Sequence, residues 1–266
     1  LGKKTGIDLS GEADGLIPDP KWKEKNTGER WFLGNTYHMA IGQGDVQLTP
    51  LQAAVMTSSV ITSKKCTPHI IQKTQNTRST GKSDIPGGSE KSDLRPSDSL
   101  TFRLSGFPSF PSVPNIDKVY ASEPPSCDEV GLSQENRDLI FAGMVGACSS
   151  GGTAFPFFPW NQSIEGQTFN EAIHQSNGMS GYPAVACKTG TAQHGGKQSK
   201  PHAWITVAGP IVKEEGRRKK EEGGYKLDLE SPKRIVLTVM LEDAGEGSYE
   251  AAPVAKKILE KWFKVQ

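Results

Sequence analysis

The hydrophobic pattern of the chain first becomes helical near residue 49. Thr49 is a residue type that caps helices, Pro50 suits a first turn, and apolar side chains then follow at helical spacing. In the preceding segment, residues 1–48, Gly and Pro recur too often for a long helix. We therefore predict a helix over residues 50–61, preceded by an extended segment that wraps the surface.

Two later segments carry the same periodicity. Ser133 can cap a helix whose apolar positions over residues 139–146 have little side-chain bulk, so this face is expected to pack closely. Over residues 251–262, apolar side chains recur at i, i+3 and i+4, and Pro253 falls in the first turn, where proline is tolerated. The last helix is predicted to dock on a sheet.

Between these helices the pattern favours strands. Segments rich in β-branched and apolar residues predict three strands, over residues 184–193, 202–208 and 235–241. In residues 213–222, before the third strand, five basic and four acidic side chains nearly cancel, which indicates a solvated hairpin loop. Residues 72–126 are dense in Ser, Pro, Gly, Lys and Asp, which predicts a surface insertion or partial disorder.

Composition excludes several classes of function. Lys and Arg total 31 and Asp and Glu total 30, so no net field attracts nucleic acid or an anionic membrane. The longest uncharged stretch, residues 139–164, contains Gly and Pro residues that a bilayer core would not accommodate. The four cysteines are 61, 21 and 39 residues apart, without the short spacing of zinc or redox motifs, and are predicted to be scattered thiols.

The candidate chemistry lies in Lys188-Thr189-Gly190, followed by Thr191, on a predicted strand. A lysine ammonium beside two threonine hydroxyls can bind a carboxylate, and a glycine lets a ligand approach the strand closely. A peptide laid antiparallel along the strand edge would suit this arrangement.

Other motifs fail on spacing. A phosphate-binding loop needs Gly before its Lys, but Cys187 precedes Lys188. A dinucleotide fingerprint beginning at Gly42-Gln43-Gly44 would place Gln47 at its third small position. The five histidines form no i, i+3 or i+4 pair, so we predict neither a metal nor another cofactor.

Taken together, these motifs resemble the penicillin-binding protein transpeptidases of class B, the enzymes of bacterial elongation and division. The segments that carry the resemblance, in the order of that family, are residues 4–9, 11–12, 15–18, 40–44, 49–52, 151–154, 188–193, 202–204 and 251–253.

The resemblance implies an acyl-serine mechanism that uses three motifs, S-x-x-K, S-x-N and K-T-G. Only K-T-G is convincingly present, because S-x-N does not occur and Ser79 to Lys82 match S-x-x-K within the low-complexity segment. Residues 1–266 are therefore expected to form the C-terminal portion of one transpeptidase domain, with insertions at 72–126 and 212–232. The nucleophile and the membrane anchor are expected upstream, and this chain alone is expected to be inactive.

The fold that the resemblance implies is α+β, an antiparallel sheet flanked by helices in the manner of penicillin-binding proteins and β-lactamases, truncated at its N-terminal side. Of five family strands, three would lie here, with Lys188 on one outer strand and Val236 on the other. Lys188 and Thr191 would be catalytic, and Thr189, Gly190, Thr191 and Gln193 would bind substrate. The backbone N–H of Thr191 would be one oxyanion donor.

The implied function is peptidoglycan cross-linking. The parent protein would acylate its serine with a stem peptide, release D-alanine and pass the acyl group to an amine, and β-lactams would mimic the donor. It would lie at the bacterial inner membrane with its catalytic domain on the periplasmic face, beside the elongation or division machinery and without nucleic acid. A serine β-lactamase or carboxypeptidase shares K-T-G but lacks the segment over 11–52. A non-catalytic penicillin sensor remains open until the upstream sequence is read for the two missing motifs.

Overall fold

A three-stranded antiparallel sheet organises the part of the chain that the structure describes. The structure is a computed structural model, and it describes residues 1–70, 126–162, 182–195, 199–213 and 224–264. The strands are β1 (Lys64–Cys66), β2 (Cys127–Glu129), β3 (Ala186–Ala192), β4 (His202–Gly209), β5 (Ile211–Lys213), β6 (Tyr225–Leu227) and β7 (Ile235–Leu241). The helices are α1 (Pro20–Thr27), α2 (Leu33–Ala40), α3 (Pro50–Thr62), α4 (Gln134–Cys148), α5 (Phe158–Asn161) and α6 (Ala252–Lys264).

The central sheet has the strand order β3-β4-β7. Both pairs are antiparallel, with Thr189 opposite Ile205 and Ile205 opposite Val239. The three predicted strands are therefore confirmed, and so is the antiparallel α+β class. Among the described strands, β3 with Lys188 and β7 with Val236 are the outer ones, as the family resemblance implies.

Helices cover both faces of this sheet. Since side chains alternate along a strand, Val207 and its cross-strand partners face one way, where they pack with Leu259 of α6. On the opposite face Ala186 packs with Phe141 of α4, and α3 lies against β7 and β4. The sheet thus separates two cores, which is a layered arrangement typical of α+β domains.

The predicted helix near residue 50 is confirmed and has a reciprocal cap. The Thr49 side chain accepts from the Gln52 backbone N–H at 3.1 Å, and the Thr49 N–H donates to Gln52 Oε1 at 3.2 Å. Gln52 Nε2 also donates to the carbonyl oxygens of Lys3 and Asp14, at 2.7 and 2.8 Å. One buried glutamine therefore ties the start of the chain to α3.

The extended interpretation of residues 1–48 is wrong in part, because the segment contains α1 and α2. Asp19 caps α1 by accepting from the Trp22 N–H at 2.7 Å, Pro20 occupies the first turn, and Gly28 ends the helix with a φ of 70°. Pro20 and Gly28, which the pattern indicated as interruptions of a long helix, are the start and the end signals of this short helix.

The packed face of α4 also differs from the prediction. The helix is present, but Leu139 and Ile140 of the predicted face are 66% and 45% exposed. The buried face consists of larger side chains at positions i, i+3, i+4 and i+7, namely Phe141, Met144, Val145 and Cys148. Two apolar stripes fit the same sequence periodicity, and contact with the sheet selects between them.

The prediction of scattered thiols is wrong. Cys66 and Cys127 form a disulfide that joins β1 to β2. Cys148, at the end of α4, is bonded to Cys187 on β3. Both pairs are distant in sequence, so spacing along the chain gave no sign of them.

Of the two predicted insertions, 72–126 lies almost entirely outside the described residues, and 212–232 is described at residues 212–213 and 224–232. β5 and β6 pair as antiparallel strands, with Ile211 opposite Leu227, so the charged segment connects the two strands of a hairpin. Residues 214–223 lie outside the described part, as do all residues of 72–126 except Ser126. In the described ranges, none of the helices is long and apolar enough to cross a membrane.

Asn161, the last residue of α5, is a fully buried polar residue, and its side chain bonds both backbone groups of Val185, the residue just before β3. Its Nδ2 donates to the Val185 carbonyl oxygen at 2.8 Å, and its Oδ1 accepts from the Val185 N–H at 2.9 Å. We expect Asn161→Ala to lower the free energy of unfolding by about 2 to 4 kcal/mol, because two buried backbone groups lose their partner. Urea unfolding of the full-length protein measures this. The exposed Asn136, changed to alanine, should shift stability by less than about 0.5 kcal/mol, and an equal effect of both changes would contradict the assignment.

Candidate active site at the free edge of a strand

The free edge of β3 is the side of the strand that faces away from β4. Backbone groups of alternate residues point to alternate sides of a strand. The Ala184 carbonyl accepts from Ile211 on the β4 side, whereas Val185 bonds Asn161 and Thr191 bonds Gln43 on the other. The odd-numbered residues from Val185 to Gln193 therefore direct their backbone N–H and C=O groups to the free edge.

Lys188 leaves β3 on the opposite face from Thr189 and Thr191, since its side chain lies one residue out of phase with theirs. The side chain is exposed, and its length lets Nζ return to the strand, where it donates to the Thr189 carbonyl oxygen at 2.5 Å. The ammonium predicted to bind a carboxylate thus lies at the free edge, although it reaches that edge from the other face of the sheet.

Thr189 joins two of the segments that carry the family resemblance. Its hydroxyl donates to the Thr153 hydroxyl at 2.8 Å. Thr153 follows Gly152, where a Cβ would lie 2.5 Å from the Ala147 carbonyl oxygen, so only glycine lets the chain pass this close to the end of α4. The sequence did not predict this threonine pair, although both residues lie in segments that carry the family resemblance.

Thr191 lies at the exposed end of β3, against the turn that begins the C-terminal helix. Its hydroxyl accepts from the Gly247 N–H at 3.5 Å. Gly247 opens one wide helical turn, Gly247–Ala251, directly before α6. The helix N-terminus therefore lies beside the threonine that is predicted to be catalytic.

Gln43 contacts the same strand end, and the sequence analysis missed it. Its Nε2 donates to the Thr191 carbonyl oxygen at 2.9 Å, and its Oε1 accepts from the Gln193 N–H at 3.3 Å. Gln193 is thus engaged through its backbone rather than through its exposed side chain. A glutamine 148 residues away in sequence leaves no local pattern that could reveal this contact.

A cluster of histidines lies just beyond this end of the sheet. The rings of His194 and His202 stack with their centroids 3.8 Å apart. The Asp243 carboxylate contacts His194 Nε2 and lies 3.7 Å from His202 Nδ1. These three residues are the group, within the described ranges, whose ligand atoms are close enough for a metal ion. The Asp243 N–H donates to His202 Nδ1 at 3.1 Å, and His194 Nε2 contacts the Lys200 carbonyl at 2.9 Å. Hydrogen bonds within the protein therefore already explain the arrangement.

Spacing along the chain reveals histidine pairs on a helix, but it gives no sign of two histidines brought together by adjacent strand ends. Two parallel rings at this separation cannot direct their in-plane lone pairs at one ion without rotating. The site residues as they stand do not fit a bound metal, and no step of the chemistry is assigned to one.

Comparison with known proteins places these features in a family context. The family described as "Penicillin binding protein transpeptidase domain" matches residues 1–101. The peptidoglycan D,D-transpeptidase MrdA of Haemophilus influenzae is 26% identical over 99% of this chain and 31% of its own length. The enzyme of the same name from Acinetobacter baumannii is 35% identical over 33% of this chain and 13% of its own length. The chain thus spans at most about a third of these relatives.

Solved structures show the same fold. The penicillin-binding protein PBP2 of Pseudomonas aeruginosa, in complex with WCK 5153, aligns with 100% of this chain and 42% of its own, with a TM-score of 0.57 and 23% identity. PBP2 of Helicobacter pylori aligns with 99% of this chain and 33% of its own, with a TM-score of 0.54 and 24% identity.

Gly247 offers a test of how tightly the C-terminal helix holds β3. A Cβ at this position would lie 2.5 Å from the Gly190 carbonyl oxygen and closer still to that of Trp204. Both are backbone atoms of the sheet, so we expect Gly247→Ala to destabilise the protein by about 1 to 3 kcal/mol through overpacking.

The measurement is the urea midpoint of the full-length protein. Gly143, exposed within α4 and with no atom near its absent Cβ, serves as the matched control. Its change to alanine should stabilise the helix by about 0.5 to 1 kcal/mol. Wild-type stability of the Gly247 variant would show that the helix start does not pack on Gly190 as described.

Proposed function

Because the chain belongs to the penicillin-binding protein transpeptidases, we propose that the protein containing it is a peptidoglycan D,D-transpeptidase. The observation that supports this most directly is the free edge of β3, where Thr189 bonds Thr153 and Thr191 bonds Gln43, both from other family segments, and where the Lys188 ammonium also lies. A strand edge that no other described strand covers, with an ammonium and hydroxyls beside it, is suited to a peptide with a terminal carboxylate.

In the proposed reaction, a serine attacks the carbonyl carbon of the penultimate D-alanine of a stem peptide. The terminal D-alanine leaves with a proton on its amine, and an acyl-serine remains. The amine of a second stem peptide then attacks the acyl-serine and restores the serine hydroxyl. A β-lactam would acylate the same serine, but its amine stays tethered.

The residues of this chain would serve the donor peptide. Lys188 and Thr189 would bind its carboxylate, and Gly190 would allow its backbone to come close to β3. Gln193 would lie at the end of the binding site for the donor peptide. The Thr191 N–H, directed to the free edge, would donate to the oxyanion of the tetrahedral intermediate. Such donors act in the transition state, where charge develops on the carbonyl oxygen.

The serine itself is proposed to come from a part of the protein outside this sequence. The sequence has no S-x-N, and the S-x-x-K letters from Ser79 to Lys82 fall outside the described residues. A nucleophile must be held within about half an ångström of its working position, which a low-complexity segment is poorly suited to do. The 266 residues would then be one portion of a transpeptidase domain with insertions at 72–126 and 212–232, inactive alone.

The setting of the enzyme is likewise a proposal. One structural neighbour, aligned with 98% of this chain at a TM-score of 0.51, is described as a complex between PBP2 and MreC from Helicobacter pylori. We propose that this protein also works beside the elongation or division machinery, on the outer face of the bacterial inner membrane. Peptidoglycan stem peptides and β-lactams would be its ligands, and nucleic acid would not.

Lys188→Ala tests the carboxylate site. If the ammonium contributes a charge-assisted hydrogen bond of about 1.5 to 3 kcal/mol, its loss should slow acylation of the full-length protein by a fluorescent penicillin about tenfold or more. Lys25→Ala, at an exposed position of α1, is the control and should label at the wild-type rate. Labelling of the Lys188 variant at the wild-type rate would contradict the assignment, and rapid turnover of the penicillin would indicate a β-lactamase.

The isolated chain provides a second test. A polypeptide of these 266 residues should form no covalent adduct with a β-lactam in intact-mass spectrometry, because it holds Lys188 without a positioned nucleophile. The full-length protein is the positive control. An adduct mapped to Ser79 would show that its S-x-x-K motif is the working one.

A further inference from the structure

We propose that Gln43 is a positioning residue, which ends the peptide-binding part of the free edge at Thr191 and holds the strand end that carries the oxyanion donor. This inference rests on the proposed function, because it assigns a role to Gln43 within that site. The side chain touches the strand and not the substrate, so its effect on catalysis would be indirect.

The first support is the anchoring of the Gln43 backbone. Helix α2 ends in a Schellman motif, in which the Gln43 N–H donates to the His38 carbonyl at 2.9 Å and the Gly42 N–H to that of Met39 at 3.0 Å. Gly42 and Gly44 have φ angles of 72° and 77°, a region that favours glycine. The two glycines that suggested a nucleotide motif thus fix the loop from which Gln43 reaches β3.

The second support is the geometry of the Gln43 amide. It donates to the Thr191 carbonyl and accepts from the Gln193 N–H, two groups that a neighbouring strand would otherwise bond. A primary amide has the donor and acceptor of one peptide group. The Gln43 amide therefore occupies the position that one residue of an added strand would take. While these two hydrogen bonds are formed, a bound peptide cannot pair with β3 beyond Thr191.

The other end of the free edge is closed in the same way. The Asn161 amide bonds the N–H and carbonyl of Val185, as described above. Between the two amides the free edge runs from Cys187 to Thr191, about 13 Å at 3.3 Å per residue. Apart from the Gln43 amide at the Thr191 carbonyl, the described side-chain group bonded to the backbone of this stretch is Lys188 Nζ, at the Thr189 carbonyl. The two amides thus leave a short length of strand edge for a ligand.

This arrangement has a consequence for Thr191. Its N–H is the last donor on the free edge before the Gln43 amide. The next two peptide groups along the chain, which contain the Thr191 carbonyl and the Gln193 N–H, are both bonded by Gln43. An oxyanion donor works when its direction is fixed before the reaction, so that no reorganisation is needed in the transition state. Releasing the strand end would let the N–H direction vary, and acylation would slow without a comparable loss of ligand affinity.

The experiment uses the full-length protein and three variants. Gln43→Met keeps the length of the side chain but neither hydrogen bond, and Gln43→Glu keeps an acceptor for the Gln193 N–H but no donor for the Thr191 carbonyl. Gln47→Met, on an exposed side chain nearby, is the matched control. Two quantities are measured: amide hydrogen exchange at Gln193, and the acylation rate of a fluorescent penicillin as a function of its concentration.

We expect exchange at Gln193 to be at least fivefold faster in Gln43→Met and near the wild-type rate in Gln43→Glu and Gln47→Met. The limiting acylation rate should fall at least fivefold in both Gln43 variants, while the half-saturating concentration changes less than twofold. Unchanged melting temperatures would confirm that the variants fold, and a residue that merely stabilised the loop would lower the melting temperature without this rate effect.

Wild-type exchange at Gln193 in Gln43→Met, or wild-type limiting rates in both Gln43 variants, would overturn the proposal. Absence of acylation in the wild-type protein would instead refute the proposed function. In that case the exchange measurement alone would still decide whether Gln43 holds the strand end.

Discussion

The structure depends on one requirement, that β3 be held in place although, among the described strands, only β4 pairs with it. Each backbone group on the other side needs a partner when it is buried. At the buried start of β3 the Asn161 amide supplies both partners, and at the exposed end the Gln43 amide does so. The backbone between them is left for a ligand, so the same solution that stabilises the strand also defines where a peptide can add to the sheet.

Several distant parts of the chain are positioned by this strand. Helix α4 is bonded to it through the disulfide of Cys148 and Cys187, the start of the C-terminal helix packs on Gly190 through Gly247, and Thr153 reaches Thr189. These contacts join segments that are 36 to 57 residues apart along the chain. They explain why family motifs that are scattered in sequence meet at one edge.

The sequence predicted what local patterns determine. Thr49 with Pro50, and Ser133, identified helix starts because capping is a local interaction, and the run over 235–241 identified a strand because β-branched residues favour it. Prediction failed where contacts between distant segments decide the outcome. The cysteine pairs, the buried stripe of α4 and the Gln43 amide each depend on a partner that the local sequence does not contain. In residues 1–48 the failure was different, since Pro20 and Gly28 were counted as interruptions rather than as the ends of α1.

The central claim is that a donor peptide or a β-lactam binds on the free edge of β3, and amide hydrogen exchange of the full-length protein before and after acylation tests it most directly. The N–H groups of Thr189 and Thr191 point to the free edge, while those of Lys188 and Gly190 point to β4 and are already bonded there. Acylation should slow exchange at Thr191, and to a lesser extent at Thr189, with little change at Lys188 and Gly190. An acylated protein whose Thr191 amide exchanges as fast as before would contradict the account.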